Sequence, residues 1–590
     1  MAFHPPPWVP NLPNIPDSIS VADFINTEKA GRKALAASKS PYTCGVTGLS
    51  RTAAQVAQRV DYLARGLAKN VGFDPLDGTS WDRVVAIYAL NTIDYIPVSH
   101  AIHRVDGIVT PASSAHSPSE LEHQLRSSGA KALFTCAPLL STALKAAKAV
   151  GIPEKHIFLL PLPETSSEGN FKTIEDLISE GQSLPPLSLP AWTPGQGKRQ
   201  VAYLCYSSGT SGLPVCIPFV PVTEVSNKTQ KAVMISHYNV IACTLMIHTF
   251  ESITRAQDGI DTQVALGLLP FSHIYGLVVI AHIAQYRGDE IVVLQRFQLE
   301  QLLAAIQKFR IEQLSVVPPI IVQILSSQDK CKKYDLSCVR LVFSGAAPLG
   351  GETIAKLLEL YPKWRISQGY GLTEASPSVF HTSEADALLG SSGSLLPGAK
   401  VKIIDQHGKE VTEYETPGEL YVQAPNVVLG YLHNEKANAE TFVWREDGRW
   451  LRTGDEVLVR KSDRGFEHFF VVDRIKELIK VKGHQVAPAE LEAHLLDHPY
   501  VADSAVIGIV DERAGEVPLA FIVKSNEAKG VSDEDVTRAV CGHVEKHKAR
   551  HKWLKGGVRV LDIIPKSPSG KILRRVLKAK VLAEKPVAKL

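Results

Sequence analysis

Two hydrophobic rhythms alternate along the first third of the chain. Between residues 52 and 70, Val56, Val60, Leu63 and Leu67 recur at three- and four-residue steps, which places them on one face of an amphipathic helix. Residues 84–90, VVAIYAL, instead form an unbroken apolar run of strand length, followed by a helical stretch over 93–105. The pairing recurs: a helical pattern over 121–128 precedes a strand at 132–135, and another over 143–150 precedes a strand at 157–160. Apolar strands alternating with helices predict parallel sheets covered on both faces. The first 50 residues, punctuated by proline and serine, are expected to wrap the domain surface, and residues 183–199, rich in Pro, Ser and Gly, to form a loop. Residues 401–404, 418–422 and 467–472 alternate or run apolar between turns, a β-rich pattern. After residue 473 the pattern changes again, to a helix at 489–495, strands at 504–509 and 519–523, and a helix at 533–548. The expected fold is α/β: a large N-terminal domain, 1–473, of packed sheets with covering helices and a β-rich subdomain, then a small α+β domain, 474–590.

Composition narrows the classes. A chain of 590 residues exceeds one ordinary domain, and 45% hydrophobic with 21% charged residues is ordinary for a soluble globular protein. The net charge of +3 is too small to argue for nucleic acid or a membrane surface. Eight cysteines without a C-x-x-C pair indicate neither a zinc site nor a disulfide framework, and suit a reducing compartment. No basic region followed by an apolar run opens the chain, so no secretory leader is expected. Residues 264–284 are the most apolar stretch, but Pro270, Ser272, His273 and His282 mark it as buried core rather than a membrane span.

Candidate chemistry concentrates in short segments. Ser207, Ser208, Gly209, Thr210, Ser211 and Gly212 follow an apolar strand. Glycines let backbone N–H groups converge on an anion, and hydroxyls add uncharged donors, as a polyphosphate requires. The run is not the G-x-x-x-x-G-K-[ST] loop, and alone it reads equally as a flexible turn. Tyr370 offers an aromatic face to a purine, a stack worth about 1–3 kcal/mol in nucleic-acid-binding proteins. Thr373 can donate to phosphate, and Glu374 is a hard oxygen ligand suited to Mg²⁺. Standing alone, such a glutamate or a lysine such as Lys480 or Lys571 is more commonly a solvated surface charge.

Five segments in order outweigh that bland reading: SSGTSGLP at 207–214, GYGLTE at 369–374, LRTGD at 451–455, DRIKELIK at 473–480 and PKSPSGK at 565–571. Together they resemble the adenylate-forming superfamily of acyl-CoA synthetases, coumarate–CoA ligases and firefly luciferase, closest to fungal-type coumarate– or phenylacetate–CoA ligases. The resemblance spans nearly the whole chain. It implies ATP, Mg²⁺ and coenzyme A, with a small domain that rotates on a hinge at Lys476. It assigns Ser207–Ser211, Gly212 and Lys231 to the phosphates; Gly345, Ala346, Ala347, Gln368, Gly369, Tyr370 and Gly371 to adenine; and Asp455 and Arg474 to ribose. Thr373 and Glu374 serve phosphate and metal. His273, Tyr275, Ser376 and Pro377 fall at the acyl pocket. Ser376 stands where coumarate ligases usually carry glycine, which would narrow the tunnel or add a hydroxyl and favour smaller aryl or alkyl acids. Lys571 would serve adenylation, and Lys480 and Gln485 on the other face of the small domain the thioester step. Only 19 residues follow Lys571, so a diffusible thiol rather than a fused carrier domain is expected. The basic run 546–552, KHKARHK, reads either as a partner for CoA phosphates or as a solvated helix face.

Residues 215–230 interrupt this resemblance. Without them SSGTSGLP joins KAVMISHYN directly, as in the family. The insert begins with Val, whose codons start GT, and ends with Gln, which CAG encodes; Ser226-Asn227 can be encoded with a CTAAC string. A short in-frame retained intron accounts for all of this, and a surface extension of a hairpin is the rival. The expected function is an ATP-dependent acid–CoA ligase acting on an aryl or arylalkyl acid. A medium-chain fatty-acyl-CoA synthetase and an inactive binding homologue with a split phosphate loop stand as alternatives; luciferase activity has no support. The terminal Ala588-Lys589-Leu590 resembles the S-K-L peroxisomal address, implying a peroxisomal import receptor as partner, or else is a lysine-rich tail.

Overall fold

The computed structural model describes residues 2–163, 170–207, 230–482, 484–567 and 570–584. Among these, the strands form four sheets. Two belong to the predicted α/β portion. In one, Val84–Tyr88, Ile108–Ala112, Ala132–Thr135, Ile157–Leu159 and Val201–Ser207 run parallel, each predicted strand lying within a residue or two of its expected place. Lys231–Ser236 then turns back antiparallel against Val201–Ser207. In the other, the parallel strands Glu290–Val293, Val264–Gly267, Gln313–Val316, Leu341–Ser344 and Arg365–Gly371 give way to antiparallel Ser378–His381 and Ser394–Leu395. Helices cover both sheets. Helix Ala53–Val71 begins on a Thr52/Gln55 capping box and stops at Gly72, whose φ of 83° is the left-handed conformation glycine adopts without a Cβ penalty. Its Val56, Val60, Leu63 and Leu67 are buried, as their spacing requires.

The first 50 residues do more than wrap the surface. Helix Val21–Asn26 buries Val21, Phe24 and Ile25, and Tyr42–Cys44 adds a parallel edge strand beside Glu290–Val293. A three-residue strand is too short to show a period, and the neighbouring prolines imitate a loop. The loop expected over 183–199 ends in a helical turn, Gln196–Arg199. The apolar stretch 264–284 is buried core, comprising Val264–Gly267 and a π-helical segment Tyr275–His282 that continues into helix Ile283–Arg287. No helix among the described residues is long and apolar enough to cross a membrane.

The β-rich subdomain is an antiparallel sheet built on the 14-residue strand Gly448–Lys461, flanked by Gly418–Gln423 and Glu467–Arg474. The small domain carries its own sheet, with Val501–Asp511 against Gly515–Lys524, covered by helices Pro488–Leu496 and Asp533–His547. Arg474 is the last residue of a large-domain strand, so the boundary expected after residue 473 lies just beyond it.

Candidate active site

The antiparallel pair Val201–Ser207 and Lys231–Ser236 closes with Ser207 opposite Lys231. The segment expected to bind phosphate leaves and returns at this point; Ser208, Gly209, Thr210, Ser211 and Gly212 lie outside the described residues. Lys231 and Ser207 line a cavity of about 670 Å³. Strand Gly430–Tyr431 pairs with Lys231–Ser236 and sets the Tyr431 ring 4.5 Å from Lys231 Nζ. The Tyr431 hydroxyl donates to Glu374 Oε1 at 2.8 Å. Burial, and then the Glu374 charge, raise the Tyr431 pKa, so it remains a donor. Cation, ring and carboxylate therefore stand in a row along the cavity wall, with Thr373 beside them.

A second wall is built by small residues. Strand Leu341–Ser344 ends at Gly345, where a Cβ would lie 3.0 Å from the Tyr275 ring. A Cβ on Gly369 would meet the Phe343 ring at 2.6 Å, and one on Gly371 would meet the Pro377 carbonyl oxygen at 2.2 Å. These glycines are needed because side chain and backbone crowd them. Tyr370 stacks on Phe380 at 5.4 Å and donates its hydroxyl to Asp455 Oδ2 at 2.6 Å. Asp455, 6% exposed, also faces Arg474 Nε at 3.6 Å. Burial raises its pKa, opposed by Arg474 and by the Tyr370 hydroxyl. Ala346, Ala347 and Gln368 line an adjoining cavity of about 650 Å³ that shares Tyr370, Asp455, Arg474 and Lys571 with the first. The Gln368 amide is committed to backbone, accepting from Leu349 N–H at 2.8 Å and donating to the Ser391 carbonyl, so it shapes the wall.

Lys571 enters from the small domain. Its loop is closed by Ser567 N–H donating to the Lys571 carbonyl at 2.8 Å and Lys571 N–H donating to Ser567 Oγ at 3.2 Å. Burial, then the Arg474 charge, push its ammonium down to about 8, against the pull of Glu477 and Asp455. Burial and the Lys571 charge likewise push His273 down to about 4, so it is neutral near pH 7. Tyr275 N–H donates to His273 Nδ1 at 3.3 Å, which leaves the proton on Nε2. Another part of the cavity is lined by Ile274, Tyr275, Val279 and Phe343, with His381 held 3.3 Å from Glu251 Oε1. The Tyr275 hydroxyl is spent on the Phe343 carbonyl at 3.2 Å, so the ring presents carbon to the space beside it.

Pro377 and Lys476 line the first cavity, but Ser376 does not. It is fully buried, its φ is 57°, and its Oγ has no hydrogen-bond partner among the described residues. The residue that suits this position is glycine for a backbone reason, and Ser376 does not narrow the tunnel. Lys480 and Gln485 are exposed and face each other across the hairpin of Ile479–Val481 and His484–Val486, away from both cavities. Within the basic run 546–552, Lys548 and Lys552 pair with Glu490 at 3.1 and 2.6 Å, an internal tie rather than an open phosphate surface. Three participants were not singled out as site residues from the sequence: Tyr431, and the ion pair of Arg574 with Glu477 at 2.7 Å, which ties the stretch just past Lys571 to the segment 475–478. Arg574's position three residues past Lys571 was the available hint.

The chain has many relatives among known proteins. Residues 29–432 match the AMP-binding enzyme family and residues 490–571 its C-terminal domain. The chain is 40% identical over 585 residues to acyl-CoA ligase AKT1 of Alternaria alternata, covering 98% of this chain and 97% of that one. It is 36% identical over 602 residues to acyl-CoA ligase cm3C of Cordyceps militaris, covering 98% and 90%. The fold matches a crystal structure of the anthranilate CoA ligase AuaEII in complex with anthranoyl-AMP, with a TM-score of 0.78 at 22% identity over 96% of this chain and 98% of that one. It also matches o-succinylbenzoate CoA synthetase from Bacillus subtilis, with a TM-score of 0.72 at 23% identity over 95% and 98%. Tyr370, Asp455, Glu374 and Lys571 around one cavity, and sequence likeness running the length of both domains, lead to one assignment: the chain belongs to the AMP-binding enzyme family.

Proposed function

We propose that the chain is an ATP-dependent acid–CoA ligase acting on an aryl or arylalkyl carboxylic acid. The observation that carries this is Lys571, delivered by the small domain into a cavity with Glu374 and Tyr370 on one side and an aromatic wall, Tyr275 and Phe343, on the other. A carboxylate oxygen attacks the α-phosphorus, the bond to the bridging oxygen breaks, and pyrophosphate leaves. A thiolate of coenzyme A then attacks the acyl carbon and AMP leaves with the bonding pair. Lys571, Lys231 and Thr373 supply positive charge and donors aimed at the phosphates, so the protein contributes positioning and charge stabilisation rather than a covalent nucleophile. Neutral His273, with its proton on Nε2, is a donor to the acid's carboxylate.

Glu374 fits Mg²⁺: it is a hard oxygen donor at the cavity wall, oriented by Tyr431 through one oxygen. Bound there with substrate phosphates, the ion supplies charge neutralisation. Targeting to the peroxisome through Ala588-Lys589-Leu590, residues outside the described part, belongs to the same proposal. Removing those three residues should release a tagged protein to the cytosol, and unchanged punctate localisation refutes it.

The test of activity is ATP–pyrophosphate exchange followed by CoA-thioester formation, across aryl, arylalkyl and C6–C12 alkyl acids. It is run on the full chain and on one lacking residues 215–230. Exchange with aryl acids and conversion to thioester are expected, and preference for alkyl acids overturns the substrate class. Exchange only in the shortened chain identifies the insert as a retained intron; equal activity makes it a surface extension.

A further inference from the structure

The small domain carries a histidine cluster with no part in this chemistry. His494 stands on helix Pro488–Leu496, and His543 and His547 stand one turn apart on helix Asp533–His547. Residues four apart share a helix face, so both point toward the same neighbour. Each of the three residues offers one nitrogen, and these lie within 4.8 Å of one another. The His494 and His543 rings stack at 4.2 Å, and the His547 ring lies 4.9 Å from that of His543.

The hydrogen bonds leave ligand positions open. His543 Nε2 lies 3.3 Å from the His494 carbonyl oxygen and His547 Nδ1 lies 2.8 Å from the His543 carbonyl oxygen, which engages one nitrogen of each ring. His494 Nε2 is closed to solvent and has no hydrogen-bond partner among the described residues. A buried polar atom of this kind calls for a partner. The other His494 nitrogen, Nδ1, faces Asp497 Oδ2 at 3.9 Å. At that distance the carboxylate is a nearby charge and not a hydrogen-bond acceptor, so neither ring nitrogen of His494 is tied down.

We propose that His494, His543 and His547 form a binding site for a borderline-soft divalent ion of the Zn²⁺ type. Imidazole nitrogens suit such an ion and not Mg²⁺, which takes oxygen. Three histidines and a water make a four-coordinate shell, with metal–nitrogen distances of about 2.0–2.1 Å. Closing the nitrogens onto an ion asks for ring movements on the order of 1 Å, and exposed His547 provides both the freedom and the entry path. The site ties two helices of the small domain together where that domain meets the large one. Ala493 Cβ lies 3.6 Å from a Cβ placed on Gly350, which precedes the large-domain helix Gly351–Leu360.

The test is calorimetric titration of the full-length protein with Zn²⁺ in excess Mg²⁺, paired with Co²⁺ absorption spectroscopy. The wild type should bind one ion at this site and give the visible bands of tetrahedral Co²⁺. His543→Gln/His547→Gln should lose that ion and those bands. Circular dichroism of the double variant shows whether it is folded. If it is not, His547→Gln alone, at an exposed position, takes its place. Zn²⁺ stoichiometry and affinity unchanged in the folded variant overturn the proposal, as does a wild type that binds no such ion. The readout is binding, so it is independent of the proposed ligase activity.

Discussion

Lys571 makes the sharpest quantitative test of the proposed mechanism. Its ammonium is held at about 8 by burial and by Arg474. A group with that pKa is about nine-tenths protonated at pH 7 and about one-tenth at pH 9. Pyrophosphate exchange, measured as kcat/KM for ATP, should therefore fall about tenfold between those pH values. Bound ATP favours the charged amine, so the limb in kcat should lie above the limb in kcat/KM. His273, near 4, is neutral throughout this window and adds nothing to it. Lys476, also lowered by burial and then by Arg474, lines the same cavity and is the internal control. Lys571→Arg keeps its charge at every accessible pH, so the limb should leave the region around pH 8 although the rate is lower. Lys571→Ala removes a charge aimed at the phosphates and should cost on the order of 10²–10³ in exchange, while sparing thioester formation from supplied acyl-adenylate. Equal loss of both half-reactions refutes the division of labour, and an unmoved limb in Lys571→Arg refutes the assignment of the titrating group.

Tyr370→Phe removes the 2.6 Å hydrogen bond to buried Asp455; we expect about 1–3 kcal/mol lower stability in denaturant titration and a raised KM for ATP. An unchanged KM would mean that Asp455 is not a ribose contact. Ser376→Gly relieves a left-handed residue and a buried hydroxyl without a partner, and should raise stability by about 1 kcal/mol with no change in acid selectivity; a shifted selectivity would return Ser376 to the pocket wall. Deleting residues 215–230 shortens the segment between paired Ser207 and Lys231 from 23 residues to 7, and loop closure alone predicts a gain of about 1 kcal/mol. A loss of stability would show that the insert packs on the domain.

What could be read from the chain was what is local in it. Thr52 and Gly72 bracket a helix whose face is written in four apolar residues, and Tyr370, Thr373 and Glu374 stand within one short motif whose strand and turn bring them to one cavity. What could not be read was juxtaposition. Tyr431 reaches Glu374 because a two-residue strand docks beside Lys231–Ser236, and nothing in the order of residues near 431 announces it. His494 meets His543 and His547 only because two helices cover the same sheet, so a search for cysteine spacing finds no metal ligands there. Ser376 shows a related limit: the resemblance put it at the acyl pocket, whereas its φ shows that the backbone decides the position.

The hinge joins both kinds of reading. Strand Glu467–Arg474 stays in ladder with Gly448–Lys461 up to the pair of Asp455 and Arg474, and the small-domain sheet begins at Ile479. Residues 475–478 between them belong to neither ladder. Their backbone bonds are Ile475 N–H to the Gly454 carbonyl, and Glu477 and Leu478 N–H to the Arg474 carbonyl. A rotation here gives up the first of these and the Ala489 N–H bond to Asp473, each worth about 0.5–1.5 kcal/mol net. The ion pairs of Arg574 with Glu477 and Glu492 travel with the small domain and cost nothing. Arg474 and Asp455 would stay with the large domain while Lys571 departed, so the proposed ribose contacts would persist through a movement that removes the lysine proposed to serve adenylation. Lys480 and Gln485, paired on the first hairpin beyond the hinge and exposed, are the groups such a rotation carries along with it.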